Sequence, residues 1–135
     1  MEWIMTIPSF VFSKIKNGFS EDIKTEYNMG NANFSTSAVL NTTANFPFVY
    51  IKPTGGNEEG MDLTGDSINA ARFTFQVEVT DNRSQARARK VMSEVISIMK
   101  QMKFELSGLP LTESTEDIHT ITTRFERVIG GGDTI

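Results

Sequence analysis

INAARFTFQVEVTDNRSQARARKVMSEVISIMKQM, residues 68–102, decides the fold of this chain. Its first part alternates. Phe73, Phe75, Val77 and Val79 share one face, and Arg72, Thr74, Gln76 and Glu78 share the other, which is the two-residue period of a half-buried strand. Its second part changes period. Ala88, Val91, Val95, Ile98 and Met102 form a stripe at helical spacing, widened by Met92 and Met99, and predict a helix from Arg83 to Met102. Asp81 or Asn82 is placed to cap it.

On the N-terminal side, PSFVFSKIKNGFSEDIKTEYN opens with Pro8, a residue suited to the first turn of a helix. Phe12, Ile15, Phe19 and Ile23 make a helical stripe interrupted by Asn17 and Gly18, so one kinked helix or two short ones are expected. Ser20, followed by Glu21 and Asp22, is fit to restart a helix, because a hydroxyl caps free N–H groups and acids suit the first turn. Residues 28–45, rich in Asn, Ser and Thr, predict a weak strand over Phe34–Val39 between loops. FPFVYIKP (46–53) is dense in aromatic and β-branched residues and reads as a strand bracketed by Pro47 and Pro53. TGGNEEGMDLTGDS (54–67) has no apolar period and reads as a long mobile loop.

On the C-terminal side, Phe104–Leu109 is a short strand candidate ended by Pro110, and LTESTED reads as a turn. IHTITTRFERVI (118–129) alternates again, with Ile121, Phe125 and Ile129 on one face. GGGDTI (130–135) reads as a mobile tail. The resulting order is α-β-β-β-α-β-β over residues 1–135. It predicts a single α+β domain, a mostly antiparallel sheet of about four to five strands with two main helices packed on it.

Composition excludes several chemistries. The 135 residues include no Cys and one His, which removes disulfides, thiol nucleophiles, zinc–thiolate sites and multi-His metal centres. At 39% hydrophobic and 22% charged, the chain has the balance of a globular protein rather than a disordered one. The apolar N-terminus lacks the basic region that precedes the apolar stretch of a signal peptide, and no run is long enough to span a bilayer; an aqueous compartment is expected.

Few residues suggest a site. His119 stands among threonines without a partner at catalytic spacing, so a surface or structural role is expected. Glu58, Glu59, Asp62 and Asp66 lack the alternating ligand pattern of a calcium loop and read as acids of a solvated loop, one that orders against a partner remaining within that reading. GGNEEG and GGGD lack the Lys-Ser or Lys-Thr of a phosphate loop, so no cofactor is expected. The charge distribution is more informative. The net charge is −4, yet from Arg83 to Lys103 six bases (Arg83, Arg87, Arg89, Lys90, Lys100, Lys103) meet one acid, Glu94, leaving seven bases and sixteen acids elsewhere. The plain explanation is a solvated helix face. An acidic partner is the sharper one, and DNA contact a third.

FSKIKNGFSEDIKTEY (12–27), FPFVYIKP (46–53), DLTGDSINAARFTFQVEVTDN (62–82), ARARKVMSEVISIMKQMKFE (86–105) and TRFERVIGGGD (123–133) together resemble the tail-terminator, or tail-completion, proteins of long-tailed bacteriophages, often labelled minor capsid proteins in prophages. The strand FQVEVTDN running into a basic helix, followed by the strand RFERVIG, carries most of the likeness. The resemblance implies a small α+β domain without catalytic residues. It also implies a structural role in the virion at the tail–neck junction, after assembly in the host cytoplasm. Such proteins form a ring, typically of six copies, that closes the head-proximal end of the tail tube and joins it to the head connector or stopper, with DNA passing through without specific binding and no membrane involved.

A closed ring needs two different lateral surfaces on each subunit. The basic helix residues Arg83, Arg87, Arg89 and Lys90 and the acidic residues Glu58, Glu59, Asp62 and Asp66 are expected to supply them, meeting between subunits or across to the tail tube. Charge reversal at Arg87 and Arg89 is then expected to weaken assembly without unfolding the chain. The rival readings are a head-closure or connector protein of the same neck, a small enzyme or ligand-binding domain, and a small nucleic-acid-binding domain using the basic helix.

Overall fold

The computed structural model describes residues 2–37, 45–61, 68–130 and 132–135. In chain order the described elements are helix α1 (Glu2–Gly18), helix α2 (Glu21–Tyr27), a 3-10 turn at Asn31–Asn33, strands β1 (Phe34–Ser35), β2 (Phe48–Met61) and β3 (Ile68–Asp81), helix α3 (Gln85–Gln101), and strands β4 (Glu105–Leu106), β5 (Leu111–Thr115) and β6 (Ile118–Gly130). The fold is α+β, a single mostly antiparallel sheet with helices against it, as the alternation-then-helix reading requires. The sheet runs β1-β2-β3-β6-β4, with β5 also on β6. β3 occupies one edge of β6 from His119 to Gly130, so β5 and β4 share the other edge. Among the described strands only β1 and β2 pair in parallel.

β3 shows why one face is core. Ala71, Phe73, Phe75, Val77 and Val79 are buried, and the residues between them are half-buried on the opposite face. Val49 and Ile51 of β2 and Ile121, Phe125 and Ile129 of β6 extend the apolar surface sideways. α3 lays Ala88, Val91, Met92, Val95, Ile98 and Met99 against it, the stripe expected from spacing. Phe104, just past the helix, meets Phe75 edge-on at 5.5 Å between centroids. Burying each such aromatic or aliphatic side chain stabilises the fold by roughly 1.5–3 kcal/mol.

Several boundaries differ from the sequence reading. α1 begins before Pro8, which lies inside the helix. Its inward stripe is Ile7, Val11 and Ile15, while Phe12 is only partly buried. The apolar spacing of the earlier residues outweighs the N–H that Pro8 lacks. The break between α1 and α2 falls where expected: Gly18 lies so close to α3 that a Cβ there would stand 3.3 Å from Ile98 Cδ1, and Ser20 caps α2 by accepting from Ile23 N at 3.3 Å. α3 is capped by Ser84, not by Asp81 or Asn82, its hydroxyl accepting from Arg87 N at 3.1 Å. β4 covers only Glu105–Leu106 of the expected strand, and β1 only Phe34–Ser35 of Phe34–Val39, whose last two residues lie outside the described ones.

Two larger differences matter for function. Residues 54–61, expected to start a long loop, continue β2 to Met61, paired with β3 through a register shift between Pro53 and Gly56. Backbone pairing does not require side-chain alternation, and this glycine-rich stretch has none. LTEST, expected to be a turn, is strand β5, with all five residues exposed. A strand exposed on both faces has no apolar period to announce it.

Candidate functional site

The basic end of α3 is organised by the last residue of β3. Asp81 continues the inward positions of its strand and is buried completely. Its Oδ2 accepts from the N–H groups of Arg83 (3.2 Å) and Ser84 (3.0 Å), tying down the turn that leads into α3. Its Oδ1 stands 2.7 Å from Arg87 Nη2 in a close ion pair not aligned as a hydrogen bond. The Arg87 guanidinium also lies over the Tyr27 ring, 5.2 Å from its centroid, and Nε has no hydrogen-bond partner among the described residues. One turn on, Lys90 pairs with Glu26 at 2.9 Å, half-exposed, and approaches the same ring at 5.8 Å. The hydrogen bond and charge of Glu26 raise the Lys90 pKa above its ordinary 10.5.

The four bases expected on a partner-facing surface therefore divide. Arg87 and Lys90 are turned toward α2 and hold it against α3. Arg83 and Arg89 are exposed and form no ion pair among the described residues; Arg89 donates only to Gln85 Oε1, at 3.3 Å. Arg83 and Arg87 line a polar cleft of about 660 Å³ formed where the end of α2, the approach to β1, the entry to β2 and the β3–α3 turn meet. Asn33 and Phe46 line it too; Asn33 is buried and donates to the Pro47 carbonyl at 2.9 Å.

The acidic counterpart is placed otherwise than expected. The backbone of Glu58 and Glu59 lies on β2, opposite Ala71 and Ala70 of β3, while Asp62 and Asp66 lie outside the described residues. Among the described residues three exposed acids lie on the hairpin of β5 and β6, and three more, Glu21, Asp22 and Glu26, on α2. On the hairpin, Glu113 is on β5, and Glu116 and Asp117 form the turn between Thr115 and Ile118. None of these three makes an ion pair among the described residues. The same hairpin carries bare apolar surface, with Leu109 90% exposed, Leu111 60% and Ile118 41%. Leu111 is paired across from Thr122, and Thr115 from Ile118. That register puts Leu111, Glu113 and Ile118 on the face of the sheet away from the helices.

His119 sits beside the hairpin turn, where its Nδ1 shares a hydrogen bond of 2.9 Å with the Ser114 hydroxyl. Among the described residues no three His, Asp or Glu side chains converge as a metal site. Sequence reading overlooked the hairpin because its apolar residues follow no period. A usable signal was nonetheless present in 104–118, which carries four acids and no base. No family model matches the chain, and no curated protein matches it significantly.

Proposed function

We propose that this chain is a structural virion assembly protein, a phage tail terminator. In this reading copies of the chain, six in the ring, close the head-proximal end of the tail tube and join it to the head connector, working by shape and surface rather than by catalysis. DNA passes through without specific contacts. The observation that carries the proposal is the pair of unlike lateral edges. One edge of the sheet ends in β5, a strand covered on neither face and rimmed by acids and exposed leucines. Toward the other edge lies a polar cleft with unpaired arginine charge beside it. A subunit that associates head-to-tail around a closed ring must present two surfaces of this kind, and the sequence resemblance to tail terminators supplies the assembly in which such a ring would serve.

Electron microscopy of particles made without this protein tests the proposal. Unjoined heads beside overlong tails are expected. Leaky heads beside tails of normal length would assign the protein to head closure instead, and normal particles would remove it from the neck altogether.

A further inference from the structure

The two unlike edges are also positioned for one another. β5 and β1 lie four strand spacings apart across the sheet, about 19 Å at ~4.8 Å per spacing. Yet the cleft and the hairpin turn lie at the same end of the sheet. Phe48 opens β2 beside Thr80, Asp81 closes β3 beside His119, and the Glu116–Asp117 turn follows directly. Neighbouring copies standing side by side in one orientation would thus present the hairpin of one at the level of the cleft of the next. Their charges are opposite and unspent. Among the described residues Glu113, Glu116 and Asp117 have no ion-pair partner, and neither does Arg83 of the cleft. Alternative use of Arg87 and Lys90 is closed off, since Asp81 and Glu26 already hold them.

We infer that a second copy of this chain is the occupant of the cleft: the acidic β5–β6 hairpin of one copy seats beside Arg83 of the next. The inference rests on the ring proposed above and names the surfaces that build it. The charge pairs set register and orientation. Electrostatic pairing of exposed groups makes the contact sensitive to salt. The contact is heterologous, so repeating it either closes a ring or continues as a filament.

The absence of Cys permits a clean test. In the full chain carrying both Glu116→Cys and Asn82→Cys, oxidation of a concentrated sample is expected to give a ladder of cross-linked species ending at a closed ring. Each single-Cys variant stops at dimers. In the double-Cys background, Arg83→Glu should remove the ladder and added Glu113→Arg should restore it, with the circular dichroism spectrum unchanged throughout. A double-Cys chain that yields nothing beyond the dimers of the single variants overturns the docking. The two proposals fail separately. No ladder, with overlong tails in particles lacking the protein, sinks the docking and leaves the terminator; a ladder, with normal particles, does the reverse.

Discussion

β6 leads two lives. Along its length β3 covers one edge, β4 meets the other at Phe125 and Glu126, and Ile121, Thr123, Phe125 and Ile129 are buried beneath the helices. At its start it belongs to a hairpin whose partner strand touches water on both faces. The first half is packed as a core requires. The second keeps Leu109, Leu111 and Ile118 exposed although nearby apolar side chains are fully enclosed. The contrast separates residues that hold the monomer together from residues the monomer does not use. Exposed apolar residues alone are common on protein surfaces. Here they coincide with unpaired acids on a free strand edge, and that conjunction points to a docking surface.

Substitutions can break this contrast or sharpen it. Phe125→Ala removes a fully buried ring and is expected to cost about 3–5 kcal/mol in urea unfolding. Asp81→Ala should rank with it, at about 3–5 kcal/mol, because it strands the Arg87 charge, 15% exposed, without its partner. The same reasoning makes Arg87→Glu a folding defect rather than the clean assembly variant that its sequence position suggests, leaving Arg83→Glu for that purpose. Ser84→Ala should cost about 1 kcal/mol by uncapping α3, read from the same unfolding curves.

Leu111→Ser combined with Ile118→Ser should change stability by no more than about 0.5 kcal/mol while abolishing ring formation in light scattering. A large loss of stability would show that the hairpin belongs to the core after all. Lys90→Ala should have the smallest effect. Because pairing raises the Lys90 pKa above 10.5, its contribution is complete below that pH and fades as pH rises through the raised value. Thermal melts of wild type and variant should differ slightly at neutral pH and converge in strong alkali.

How much of this was legible depends on what each residue faces. The β3 and α3 stripes were read correctly because burial on one side imposes a period of two or 3.6 on the sequence. β5 and residues 54–61 of β2 were missed because their pairing is carried by backbone groups that every residue shares. The charge excess of α3 was visible too, but its meaning was not. Arg83, Arg87, Arg89 and Lys90 look alike in a list of bases, and only the location of Asp81, Tyr27 and Glu26 in space shows which are already engaged.

Residue types and local period suffice for the α+β class, the inward faces of β3, β6 and α3, and the exclusion of thiol chemistry. Tertiary structure alone decided the sheet order, the presence of β5, and the division of the basic residues between fold and surface. Those depend on contacts between positions far apart in the chain, as when Lys90 meets Glu26 across 64 residues, and no local pattern encodes them.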